Sequence, residues 1–184
     1  MVDTRPLALD GLIEIRPGRF RDERGFFSQT WSTEEMTAAG LELAFVQDNH
    51  SYSAARGVLR GLHYQVPPAA QHKLVRVSRG AVFDVAVDIR TGSPTFGQWA
   101  GVFLSAELWN QLLVPAGFAH GFVTLEEHTE VQYKVTAPYR PQLERSIRFD
   151  DPSIGIDWPV EPGAITLSAK DAAAPLLTGG PTGF

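Results

Sequence analysis

Between Gly57 and Gly80 the chain sets His63, Lys73, Arg60 and Arg76 around an expected pair of strands. The two runs are Gly57-Val-Leu-Arg60-Gly-Leu-His63-Tyr-Gln65 and Gln71-His-Lys73-Leu-Val-Arg76-Val. An imidazole titrates near neutral pH and can act as a general base. A fixed ammonium beside it stabilises an oxyanion as it develops. Together they suit proton abstraction next to a carbonyl, and the guanidinium groups suit an anionic substrate. Taken singly, each has a plainer reading: a core histidine bonded to backbone, a solvated strand lysine, surface arginines. The cluster gains meaning from the elements that would bring it together.

Those elements read with period two. In Val82-Phe-Asp-Val-Ala-Val-Asp-Ile89, Phe83, Val85, Val87 and Ile89 share one face, and Val82, Asp84, Ala86 and Asp88 the other. Further strands are expected at 12–15, 26–31, 45–51, 59–64, 73–78, 98–104, 110–114, 121–125, 130–136 and 145–149. Arg79-Gly80, Thr91-Gly-Ser-Pro94 and Pro115-Ala-Gly117 punctuate them. Many short strands at regular spacing predict an all-β sandwich or barrel. Helix is scarce. Ser32-Thr-Glu-Glu35 is a capping box for a helix over 33–39, and Ser168-Ala-Lys-Asp171 starts another that Pro175 ends. The whole of 1–184 is expected to form one domain, with the Gly/Pro-rich residues 178–184 a loose tail.

Composition narrows the function classes. The 184 residues are 43% hydrophobic and 20% charged, with a net charge of -5, so no basic field points to nucleic acid. Absence of cysteine removes disulfides, thiolate metal sites and a cysteine nucleophile. Residues 1–12 carry Asp3, Arg5 and Asp10 and lack an apolar signal core. No run approaches the ~20 apolar residues of a membrane span. The expectation is a cytoplasmic protein with no membrane partner.

Two segments match the motifs of the cupin barrel, a double-stranded β-helix or jelly roll. Gly57, His63 and Gly80 frame the first; Pro115-x-Gly117-x-x-His120 lies in the second. A metal-binding cupin needs a second histidine two places after the first, then a carboxylate. Those places hold Gln65 and Ala69 or Ala70, and Thr124 stands where a further ligand would be. Metals of this kind need three or four protein ligands, so no metal and no cofactor are expected.

Longer matches follow: Arg24-Gly-Phe-Phe27, Gln47-Asp-Asn49, Gly57 to Gln65, Lys73 to Val77, Val82 to Arg90, Ser93 to Gly97, Pro115 to Phe122, Tyr133-Lys134, Asp150 to Pro152 and Leu167 to Asp171. On these the chain resembles the dTDP-4-dehydrorhamnose 3,5-epimerase family from about Gly11 to Leu176. The resemblance implies a metal-free cupin jelly roll, a homodimer, and a dTDP-4-keto-6-deoxyhexose substrate whose C3 and C5 hydrogens flank the C4 ketone. It implies His63 as base, Asp171 as its orienting carboxylate, Lys73 as enolate partner and Tyr133 as the acid on the opposite face. A phenol with pKa near ~10 holds its proton at neutral pH. Asp84 is the other candidate to orient His63, and closing a capping box with Ser168 is the plainer role for Asp171. Arg24, Arg60 and Lys170 match phosphate contacts, with Arg24 reaching a neighbouring subunit's site. Tyr139 matches a residue stacking on the base, and Gln47, Asn49, His120 and Glu144 match sugar or nucleotide contacts. Gln29 stands where the family has a glutamate, keeping an acceptor oxygen and losing the charge. Alternatives are an epimerase acting at C3 or C5 alone, a sugar-nucleotide ketoisomerase, a metal-dependent cupin oxygenase and a non-catalytic sugar-nucleotide-binding module.

Overall fold

A computed structural model describes residues 2–177 and 182–184. The strands are β1 (Asp3–Pro6), β2 (Ile13–Arg16), β3 (Phe20–Asp22), β4 (Gly25–Phe27), β5 (Gln47–Ser53), β6 (Leu59–Gln65), β7 (Lys73–Arg79), β8 (Ala81–Asp88), β9 (Trp99–Ser105), β10 (Gln111–Val114), β11 (Phe118–Thr124), β12 (Thr129–Val135) and β13 (Glu144–Ser146). Two short helices, α1 (Thr33–Ala38) and α2 (Ala169–Ala172), interrupt them. A six-stranded sheet runs β1-β2-β10-β7-β12-β5, a five-stranded sheet runs β13-β6-β11-β8-β9, and β3-β4 is a separate hairpin. Both large sheets are antiparallel throughout. The fold is the cupin-type jelly roll.

The two faces of β8 explain the layers. Val82 and Ala86 join Val75, Val77, Leu112, Val114 and Val131 in the core between the sheets. Phe83, Val85, Val87 and Ile89 pack in a second core on the other face of the five-stranded sheet, against Ile147, Ile154 and Trp158. A third cluster joins Met36 of α1 to Ile15, Leu74 and Leu113 of the six-stranded sheet. The barrel wall is thus lined with apolar side chains on both faces, which holds the strands that present the polar residues.

Two expectations need correction, and two strands were not foreseen. The strand expected over 26–31 ends at Phe27, and its hairpin partner β3 and the edge strand β1 have exposed sequences with no apolar alternation to mark them. Residues 178–181 of the expected loose tail lie outside the described residues. Residues 182–184 are docked, not loose: Thr182 Oγ1 donates to the Ile89 carbonyl at 2.5 Å and the Phe184 carbonyl accepts from Thr91 N at 3.0 Å. Phe184 packs beside Tyr64.

Candidate functional site

The site begins where β6 crosses β11. Gly61 has φ of +139°, and a Cβ there would lie 2.5 Å from Gly121 Cα. Only residues without side chains permit this approach. The ladder shifts register beside it and sets His120 opposite His63. Each histidine has a carboxylate. His63 Nε2 lies 2.6 Å from Asp171 Oδ1, and His120 Nε2 lies 2.8 Å from Asp84 Oδ1. Asp171, not Asp84, is therefore the partner of His63.

Asp171 reaches His63 because the chain returns to the start of β6. Thr166 N donates to the Gly57 carbonyl at 2.8 Å, and Leu59 N donates to the Thr166 carbonyl at 3.0 Å. Two residues later Ser168 caps α2, its Oγ accepting from Asp171 N at 3.1 Å. Ser168 Oγ thus makes half of a capping box, to the backbone of Asp171, and the Asp171 carboxylate goes to the imidazole rather than back to Ser168.

A cavity of about 300 Å³ opens here, lined by Arg60, His63, Lys73, His120, Tyr133 and Tyr139, with Gln65, Gln71, Glu144, Lys170 and Asp171 among the remaining residues. Burial pushes the His63 imidazole below its ordinary value, and Asp171 opposes that shift. With Nε2–H given to Asp171, Nδ1 carries the lone pair. Lys73 is buried and donates to the His63 carbonyl at 3.1 Å. Burial pushes its ammonium down to about 8, against the pull of Asp84 and Glu144. Burial raises the Tyr133 phenol, with Arg60 opposing. Burial would raise Glu144, but bonds from Lys170 and from Tyr139 Oη, the latter 2.7 Å, hold it below the usual carboxylate range. The arrangement offers a half-buried imidazole, a proton-bearing phenol and buried positive charge around one space.

The other expected contacts divide. Gln47 and Asn49 line an adjoining recess of about 310 Å³ that shares Gln71, Tyr133, Tyr139 and Glu144 with the cavity. Arg60 reaches Ser53 Oγ at 3.3 Å and the Tyr52 carbonyl at 3.1 Å. Arg24 and Gln29 are not brought to the cavity. Arg24 sits on the exposed β3-β4 hairpin, bonded to Asp22, and Gln29 is exposed beyond it. Ser51, Phe122 and Ser168 line the space without having been foreseen. Ser51 and Phe122 belong to expected strands, and nothing in their residue type signals a site. A groove of about 280 Å³ on the outer face of the six-stranded sheet is a weaker candidate. Its ionic groups are already paired, Lys134 with Asp48 and His50 with Glu130, and Arg76 bonds Gln132.

The residues at the cupin ligand positions do not fit a metal. Both histidines commit Nε2 to carboxylates, and Gln65 is bound to backbone on all sides. Among the described residues no group of three or more His, Asp or Glu is arranged to hold one.

Fold and pocket together define a cupin jelly-roll enzyme. Residues 6–179 match the family model for dTDP-4-dehydrorhamnose 3,5-epimerase. The chain belongs to that family and is an isomerase. It is 54% identical over 171 residues to the dTDP-4-dehydrorhamnose 3,5-epimerase of Salmonella typhimurium, covering 92% of each chain. It is similar to the crystal structure of the Legionella pneumophila dTDP-6-deoxy-D-glucose-3,5-epimerase in complex with dTDP-4-keto-L-rhamnose: TM-score 0.91, 48% identity, 96% of this chain and 93% of that one. The Bacillus anthracis dTDP-4-dehydrorhamnose 3,5-epimerase with TDP and PPi bound gives a TM-score of 0.93 at 44% identity, over 96% and 100% of the chains.

Proposed function

We propose that the protein inverts C3 and C5 of dTDP-4-dehydro-6-deoxy-D-glucose to give dTDP-4-dehydro-L-rhamnose. The observation that carries this is the His63–Asp171 pair opening on the same cavity as Tyr133 and Lys73. His63 Nδ1 takes the proton next to the C4 ketone, and the electrons pass to the ketone oxygen as an enolate. Asp171 fixes the tautomer and stabilises the imidazolium that forms. Lys73 supplies positive charge to the oxyanion. Tyr133 delivers a proton to the opposite face of the carbon, inverting it, and recovers one from solvent, to which His63 releases the proton it took. Arg60 and Lys170 bind the diphosphate, Tyr139 stacks on the base, and Gln47, Asn49, His120 and Glu144 line the sugar and nucleotide path.

Proton NMR in heavy water tests the reaction. The dTDP-4-keto sugar is expected to gain deuterium at both C3 and C5, and His63→Ala to abolish the gain. Uptake at one carbon would demote the enzyme to a single-site epimerase, and uptake surviving in His63→Ala would remove His63 as base.

The same reading makes the enzyme a homodimer in the cytoplasm, with Arg24 and Gln29 serving the partner's cavity. In its support, the β3-β4 hairpin leaves Phe20 67% and Phe27 69% exposed, an apolar arm suited to a second copy. Mixing His63→Ala chains with Arg24→Ala chains is expected to rebuild one intact site in each mixed dimer. Random pairing returns roughly a quarter of wild-type activity. No recovery after verified subunit exchange would place Arg24 in its own subunit or outside the site.

A further inference from the structure

Three glutamines from separate places in the chain hold one short segment. Residues 136–140 leave β12 in the six-stranded sheet and lead through a 3-10 turn at Pro141–Leu143 to β13 in the five-stranded sheet. Thr136 N still donates to the His72 carbonyl at 3.2 Å, but beyond it the crossover leaves both ladders and its backbone groups need other partners. Side chains take their place. Gln71 Nε2 donates to the Ala137 carbonyl at 2.7 Å, and Gln65 Nε2 to the Pro138 carbonyl at 3.2 Å. Gln47 Oε1 accepts from Tyr139 N at 2.9 Å, and Gln65 Oε1 accepts from Arg140 N at 2.6 Å. Four consecutive residues are fixed in this way.

Gln65 is the hub. It is 3% exposed, and its remaining hydrogen goes to the Ala69 carbonyl at 2.8 Å, tying the turn after β6 to the same segment. It lies two residues beyond His63 on one strand, so both side chains leave the same face. The amide is suited to this because it donates twice and accepts at one end. The segment ends in the wall of the cavity: Tyr139 Oη bonds Glu144, and Glu144 pairs with Lys170, the neighbour of Asp171.

We propose that Gln65, with Gln47 and Gln71, is a positioning residue that fixes the Tyr139–Glu144 wall relative to His63 and so sets affinity for the nucleotide end of the substrate. This rests on the reading of Tyr139 as a nucleotide contact. Gln47 then acts through Tyr139 as well as along the nucleotide path.

Gln65→Glu keeps the acceptor for Arg140 N and removes both donors. The Kd of dTDP alone and the KM of the dTDP-4-keto sugar are expected to rise about tenfold, with kcat held within about threefold. In a Tyr139→Ala background the same substitution is expected to cost no more than about twofold in Kd, because the positioned group is gone. Unchanged Kd and KM would overturn the proposal. So would an undiminished penalty in the Tyr139→Ala background, or a fall in kcat at constant KM. Should circular dichroism show Gln65→Glu unfolded, Gln71→Ala removes a single bond from a half-buried position. It is expected to raise the dTDP Kd about threefold, and again not when Tyr139 is absent; no rise would overturn the proposal. A wild type that binds dTDP but exchanges no substrate protons would sink the epimerase reading and leave the glutamine cradle standing.

Discussion

Two histidine–carboxylate pairs face each other across the β6-β11 ladder with nearly equal bond lengths, yet they differ in access to the cavity. The side chain of His63 is 28% exposed on the cavity and that of Asp171 is 5% exposed. The side chain of His120 is 7% exposed and that of Asp84 is fully buried. Among the described residues Asp84 Oδ2 has no hydrogen-bond partner, and the charge of Lys73 lies close enough to interact with this carboxylate. Asp84 comes from β8, the direct neighbour of β11, so sheet pairing places it. Asp171 comes from a helix 108 positions away from His63 and is placed by a chain return. An exposed pair can give and take a proton with substrate and solvent; an enclosed pair is a fixed part of the wall. Chemistry alone does not separate them; access does.

Truncating each carboxylate should break this comparison cleanly. Asp171→Ala is expected to lower kcat on the order of 10³–10⁴-fold with little change in melting temperature. Asp84→Ala is expected to destabilise the fold by about 1–3 kcal/mol, because it leaves the buried His120 Nε2 without its hydrogen-bond partner. Steady-state kinetics and denaturant titration on both variants check this. Equal kinetic losses would show two working pairs rather than one.

The phenol sharpens the picture next. Tyr133→Phe is expected to lower inversion by roughly 10²–10⁴-fold while His63 continues to exchange substrate hydrogen with heavy water on its own face. Product stereochemistry and deuterium content measured together are the readout. Loss of both in equal measure would move Tyr133 from acid to structural element.

Lys73 gives the smaller kinetic effect and a pH signature. Lys73→Met is expected to cost about 10²–10³-fold in kcat. The ammonium is needed charged, so wild-type activity falls as pH rises through about 8. That limb should be missing from whatever activity Lys73→Met retains. On the acid side, His63 must be neutral. Burial sets its value below the ordinary imidazole's, so activity is lost only as pH falls below the usual histidine range. A pH–rate profile with its acid limb above the ordinary histidine value would contradict the burial of this base.

Much of this was legible in residue pattern. The expected strands 59–64, 73–78, 82–89 and 130–136 located β6, β7, β8 and β12, though Gln65, the last residue of β6, fell outside the first of them. The capping serines located both helices, since a side-chain oxygen three residues before the backbone N–H that donates to it is a local signal. Gln65 was legible only as a missing metal ligand. Its bonds to Pro138 and Arg140 depend on where the crossover runs, and no local spacing records that. The exposed strands β1 and β3 escaped for the opposite reason: an edge with no buried face carries no alternation.

By itself the sequence determined an all-β barrel, the strands that carry His63 and Lys73, and the absence of thiol chemistry. These follow from alternation, capping and residue type, all short-range properties. Tertiary structure decided which carboxylate belongs to which histidine, that the last residues dock beside Tyr64, and that a glutamine holds the crossover where a metal ligand would stand. Each is a contact between distant segments, set by how the sheets close and by the need to satisfy every buried backbone group.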